Sequence, residues 1–265
     1  MREKILGLLK VYEEEISLLL WTIALLFIVR SANIILNNYA ETAFLKRYGV
    51  EYLPIVNMLN AVATFFVTGV LTAFLTRMSG ARLLIYVFVI SGALVTGIRL
   101  LIPMGFDLLY PLLFMVKSQV ELLQAMLFWN MCNDIFNTRQ SKRLFPLLTA
   151  GGVVGLILGS VGTPYFARVF NLDNLLFVYL GTTLLGAFLV RAMGRSYPSL
   201  VYSPKDGNPS KQKPSMADEL GKVLPLIKDS VLIKIVLVLT FMPNVVIPIM
   251  NYQFNFAVNE QFATE

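Results

Sequence analysis

Apolar residues in this chain run on for about twenty positions at a time before polar ones interrupt them, and they do so seven times. The runs fall at roughly 16–38, 53–76, 83–103, 108–133, 144–167, 173–193 and 230–251. About 20 residues of helix cross the hydrocarbon core of a bilayer. Because the runs are continuous rather than alternating, each predicts a helix and none a barrel strand. The pattern describes an all-α polytopic membrane protein.

After the sixth run the pattern lapses. From about 195 to 228 the chain carries Pro198, Pro204, Pro209 and Pro214 among Lys, Ser and Asp residues, the mark of a solvated connector, with one short helix expected at 216–224. The expected organisation is a six-helix half over 1–194, a linker over 195–228, and a seventh helix over 229–265. Six helices, a long connector and a fresh helix is the layout of a major-facilitator half followed by the start of its second half. Asn38 and Tyr39, at the end of the first run, reappear as Asn251 and Tyr252 at the end of the seventh, an offset of 213. Five more helices would finish such a transporter, so the chain is expected to be a fragment or to work with a missing C-terminal half.

Composition agrees with the pattern and removes several function classes. The chain is 57% hydrophobic and 14% charged, with mean hydropathy +0.70, whereas a soluble domain is about a quarter charged. One cysteine, Cys132, and no histidine exclude disulfides, His–Cys metal sites and Ser–His or Cys–His catalysis. Neither enzyme activity, cofactor, metal nor nucleic acid is expected. The opening MREKILGLLKVYEEE is too charged for a cleaved signal, so the first helix stays as an anchor. Lys and Arg set the orientation: fifteen lie on the side of the N-terminus, against Lys46, Arg47 and Arg168 on the other. This places the N-terminus and the long linker in the cytoplasm.

The candidate chemistry lies in polar residues inside the runs, which mark function by default. Arg30, Asn33 and Asn37 share one helix face. Asn57, Asn60, Thr64, Thr68 and Thr72 share another, and Lys117, Glu121 and Gln124 a third. Each stripe has a plain alternative: Asn and Thr lines also serve as interhelical hydrogen bonds, and Lys117 and Glu121, one turn apart, can neutralise each other. Arg99 and Lys234 lie near helix ends, where cations snorkel. In the outer halves of the runs, Arg30, Arg99 and Lys117 outnumber the single carboxylate Glu121, and this surplus points to an anionic solute. The rival readings are a proton-coupled carrier that titrates Glu121, and a non-transporting membrane anchor or assembly protein.

Between the fourth and fifth runs the chain reads FWNMCNDIFNTRQSKRLFPLL. A turn is expected at Asn133 and Asp134. Arg139, Lys142 and Arg143 obey the positive-inside rule, and Asp134 can latch to Arg77 or Arg82 as a gate. Gly151, Gly155 and Gly159 recur every four residues, a ladder that lets a neighbouring helix approach. No GxxxxGK[ST] loop occurs.

The pattern from Phe128 to Gly159, FW…ND.F…R..KR.FP..…GG..G..LG, resembles the ATP/ADP translocase family of plastids and intracellular bacteria, and especially its relatives in free-living bacteria. The FNFAVNEQF segment at the end of the seventh run looks like the start of that family's second half. The resemblance implies a twelve-helix major-facilitator fold, nucleotide antiport and no bound cofactor. Two positions depart from the family. Where nucleotide-exchanging members carry Arg-Asp-Thr-Lys-Asp after the first helix, this chain reads Asn37, Asn38, Tyr39, Ala40 and Glu41. Where they carry a glutamate in the fourth helix, alignment on Trp129 places Lys117. The expectation is a carrier in which Arg30 and Lys117 bind the anion, Glu121 couples to Lys117, and Asn33, Asn37, Asn57, Asn60 and Gln124 supply hydrogen bonds.

Overall fold

The computed structural model describes residues 11–75, 77–171, 174–198 and 230–262. These residues are almost entirely helical: α1 (Glu13–Tyr48), α2 (Leu53–Leu75), α3 (Gly80–Leu101), α4 (Leu109–Ile135), α5 (Thr138–Phe170), α6 (Leu175–Ser196) and α7 (Val231–Phe262). The first six are long and apolar enough to cross a membrane, and the protein is an all-α polytopic membrane protein. The seventh expected run forms a 32-residue helix, in which a shorter apolar stretch, Val245–Val258, is described. Most of the expected linker, including the short helix at 216–224, lies outside the described residues.

The chain divides into two compact units, residues 1–48 with 55–205, and residues 49–54 with 206–265. In the second unit, the described elements are the 3-10 turn Val50–Tyr52 and α7, whose Tyr252 and Phe256 rings lie one turn apart, tilted, with centroids 6.3 Å apart.

In the first unit α1 is the central element, packed against α4, α5 and α6, while α3 packs on α4 and α6. The glycine ladder explains how α5 approaches α1. A Cβ on Gly155 would lie 2.5 Å from the Phe27 carbonyl oxygen, and one on Gly159 would lie 3.1 Å from the Ser31 Cα, so these positions admit no side chain without moving α1. Ser31 Oγ donates to the Gly155 carbonyl at 2.9 Å across this contact. The ladder is a packing surface.

Buried apolar residues form two clusters, stacked along the helix axes. One gathers Leu25, Val29, Leu84, Phe88, Leu127, Phe128, Leu144 and Val190. The other gathers Ala32, Leu36, Tyr39, Val95, Leu113, Val120, Leu176 and Tyr179. Many large side chains outside them are exposed, among them Phe65, Phe66 and Val70 of α2. Hydrocarbon, not water, is the solvent such a surface suits.

The junction between α4 and α5 is shorter than its polar sequence suggests. α4 continues through Asn133 and Asp134, and the chain turns at Phe136 and Asn137, not where the turn was expected. Asn137 causes this: its side chain accepts from the Arg139 and Gln140 amides at 3.1 and 3.0 Å, and the Asn137 N–H donates in turn to Gln140 Oε1 at 3.0 Å. This is a reciprocal capping box.

Candidate functional site

α1 extends ten residues beyond the apolar run that announces it, because Glu41, Ala43, Leu45, Lys46 and Arg47 are all good helix formers. The extension brings Glu41 onto the same side as Asn37, one turn on. α4 runs antiparallel beside it, and two ion pairs bridge the helices. Arg30 Nη1 meets Glu121 Oε1 at 3.4 Å, and Lys117 Nζ meets Glu41 Oε2 at 3.6 Å. Lys117 also donates to Asn37 Oδ1, and its ammonium lies 4.2 Å from the centre of the Phe114 ring. Lys117 and Glu121 therefore take their nearest ion-pair partners from α1, while remaining one turn apart and close enough to attract each other. α1 offers them a guanidinium and a carboxylate directly opposite.

Position and exposure make this pair of bridges unusual. Arg30 stands at the middle of the 36 residues of α1 and Glu121 at the middle of the 27 of α4. Their side chains are nevertheless 32% and 42% exposed, and that of Glu41 is 33% exposed, while that of Lys117 is only 9% exposed. The cations sit behind and the carboxylates in front.

Charge at the α1–α4 face is balanced, two cations against two carboxylates, and not in the cationic surplus that the sequence suggested. Glu41 supplies the missing carboxylate. Arg99 leaves the count, since its Nη2 donates to Asn174 Oδ1 at 3.3 Å and its guanidinium lies 5.9 Å from the Phe177 ring, at the start of α6.

The other predicted residues divide. On α2, Asn60 joins the polar face: Gln119 Nε2 donates to Asn60 Oδ1 at 2.5 Å and to Thr64 Oγ1 at 2.9 Å. Thr68 and Thr72 return their hydroxyls to their own helix at 2.7 and 2.8 Å, and Asn57 is exposed. Asn33 is buried. Gln124 turns away from the ion pairs into the interior, where its Nε2 donates to Tyr179 Oη at 3.3 Å and to Ser91 Oγ at 3.5 Å. Its environment is a packed core rather than the open face.

At the end of the first unit where α1 begins, Asp134, Arg77 and Arg82 are all exposed. Arg139 and Lys142 are also exposed. The tie present there joins α1 to α5: Glu15 Oε1 accepts from Arg143 Nη2 and Gln140 Nε2, each at 3.0 Å, and the Arg143 guanidinium lies 4.6 Å from the Tyr12 ring. At the other end Arg47 Nη2 pairs with Asp107 Oδ1 at 2.6 Å.

Sequence reasoning missed Glu41, Gln119 and Glu15. Glu41 was legible as the next step of the Arg30, Asn33, Asn37 line; Gln119 and Glu15 carry no local signal of their partners. The chain matches no protein-family model, no curated protein and no solved structure among those with which it was compared.

Proposed function

We propose that this chain works in a membrane carrier that moves an organic anion by alternating access, with Arg30 and Lys117 as the anion-binding cations. The observation that carries the reading is the partly exposed Arg30–Glu121 pair at the middle of two membrane-long helices. A charge at the centre of a lipid-facing helix costs roughly 2.5–3.5 kcal/mol on insertion scales, so such a pair faces water or another polar surface rather than lipid. A water-filled face at mid-depth is where carriers bind their solutes.

An anion is favoured over a cation by what the two cations still offer. Glu121 takes one N–H of a guanidinium that has five, at 3.4 Å, longer than the 2.7–2.9 Å of a strong charge-assisted bond. The rest of that fork suits phosphate or carboxylate oxygens. Lys117 and Asn37 add a second point of attachment one turn away. The resemblance of Phe128–Gly159 to ATP/ADP translocases supports a nucleotide as the anion and exchange as the mode. The Lys and Arg bias supports a cytoplasmic N-terminus, and the same resemblance supports a bacterial inner membrane.

The test is exchange of labelled ATP and ADP by the full-length chain in proteoliposomes, compared with Arg30→Ala and Lys117→Ala. Saturable uptake that needs internal nucleotide, resists an uncoupler and disappears in both variants is expected. Uptake that collapses with the uncoupler would instead assign proton coupling. A folded chain that exchanges neither nucleotide nor other phosphorylated or carboxylated solutes would end the carrier reading.

A further inference from the structure

We infer that Glu41 is the resident counter-ion of the anion site, a carboxylate that the solute must displace from Lys117 in order to bind. The inference rests on the anion-carrier reading above. Lys117 has three neighbours in the structure: the Asn37 amide oxygen, the face of the Phe114 ring and the Glu41 carboxylate. Glu41 is the charged one of these three, with Glu121 a further carboxylate one turn along α4, and a nearly buried ammonium is strongly disfavoured without an opposite charge close by. In the empty site Glu41 provides it.

The geometry also makes Glu41 the member that gives way. Its oxygen stands 3.6 Å from the ammonium, longer than the roughly 2.7–2.9 Å of a strong charge-assisted bond. Its side chain is 33% exposed against 9% for Lys117, so the carboxylate can swing into water while the ammonium stays. An arriving phosphate or carboxylate oxygen takes over the charge that Glu41 supplied and keeps the Asn37 and Phe114 contacts. Glu121 stands in the same relation to Arg30, less sharply, because both members of that pair are open.

A resident carboxylate weakens equilibrium binding and speeds release, since it competes for the same cation. Removing its charge reverses both effects. For Glu41→Gln we expect ATP to bind about tenfold tighter, which corresponds to ~1.4 kcal/mol, and to be exchanged more slowly at saturation. Without ATP the variant unfolds at a lower temperature than the wild type, and ATP raises its unfolding temperature by more than it raises that of the wild type, because ligand now supplies the missing counter-charge. A purely structural Glu41 would give the first of these thermal effects and not the second.

The measurement is ATP binding and ATP-dependent thermal unfolding of the purified full-length chain in detergent, for wild type, Glu41→Gln and Glu41→Asp. The aspartate draws the charge back by one methylene from an ammonium already 3.6 Å away, so its affinity falls between the other two. It also carries the test if the glutamine variant does not fold. If the wild type binds ATP and neither variant binds it more tightly, the counter-ion role is wrong and the anion reading stands. If neither wild type nor variants bind ATP or inorganic phosphate, both readings fall together.

Discussion

Replacing Gly155 by alanine tests how the first unit is held together. The added Cβ would stand 2.5 Å from the Phe27 carbonyl oxygen, 3.0 Å from its Cα and 3.1 Å from its carbonyl carbon. Carbon and carbonyl oxygen settle at about 3.3–3.6 Å when in contact, so α1 and α5 must part by roughly 0.8 Å. No rotamer change relieves this, because every atom met belongs to the backbone. Overpacking of this kind costs about 1–3 kcal/mol, and an unyielding neighbour places it at the upper end. Against this, alanine is about 1 kcal/mol better than glycine within a helix, which leaves a net loss of about 2 kcal/mol. Gly181 is the internal control, since nothing lies within 4 Å of a Cβ built there, and Gly181→Ala should gain up to about 1 kcal/mol. The two alanine variants are therefore expected to differ by about 3 kcal/mol, or roughly a hundredfold in the unfolding equilibrium. Reversible unfolding in mixed micelles, followed by circular dichroism, measures this directly. Equal stability of Gly155→Ala and Gly181→Ala would refute the close contact of α5 with the α1 backbone.

Two further outcomes probe local features of the first unit. Asn137→Ala removes the acceptor for two amide donors at the start of α5, and should lower stability by about 1 kcal/mol in the same unfolding assay; an unchanged midpoint would show that the cap contributes nothing. Gln119→Leu removes the hydrogen bonds that tie α4 to Asn60 and Thr64 of α2. Hydrogen exchange should then quicken along α2 and stay unchanged in α1 and α5, and a uniform increase over all the helices would argue against a specific tie.

The helices were legible because a twenty-residue apolar run is a strong signal, but it reports depth in hydrocarbon rather than helix length. That difference hid Glu41. The first run stops at 38, the helix goes on to Tyr48, and the carboxylate that balances Lys117 lies in the difference. The turn after α4 was misplaced for a related reason. Asn133 and Asp134 look like turn residues, yet it is the reciprocal pair Asn137 and Gln140 that fixes the boundary, and the spacing of that pair was readable in advance. Partner choice was less accessible. Lys117 and Glu121 are neighbours by sequence arithmetic, but which helix stands opposite them is a tertiary fact, and so is the turning of Gln124 towards Ser91 and Tyr179. The glycine ladder was the exception: a four-residue repeat of small residues predicts close approach by itself, and α1 is the helix that comes close.

The placing of polar groups relative to the two apolar clusters bears on how such a bundle moves. Arg30 falls between Val29 of one cluster and Ala32 of the other, Ser91 between Phe88 and Val95, and Gln124 between Leu127 and Val120. A layer of polar side chains thus separates two packed cores at the middle of the helices. Its contacts are long: 3.4 Å for Arg30–Glu121, 3.5 Å for Gln124–Ser91, 3.3 Å for Gln124–Tyr179 and 3.4 Å for Tyr179–Ser91. Bonds beyond about 3.2 Å are weak, and small changes of tilt break or remake them with little change in energy. Each apolar core, by contrast, resists deformation because close packing leaves no room for partial shifts. Tilting of helices about the polar layer is therefore the softest motion this arrangement offers. On the proposed function the anion binds at that depth through Arg30, and one turn on through Lys117, and it replaces long protein–protein contacts with contacts of its own. Binding and motion then draw on one set of interactions, and a solute that differs in charge or reach from those carboxylates biases the tilt directly, without a separate relay.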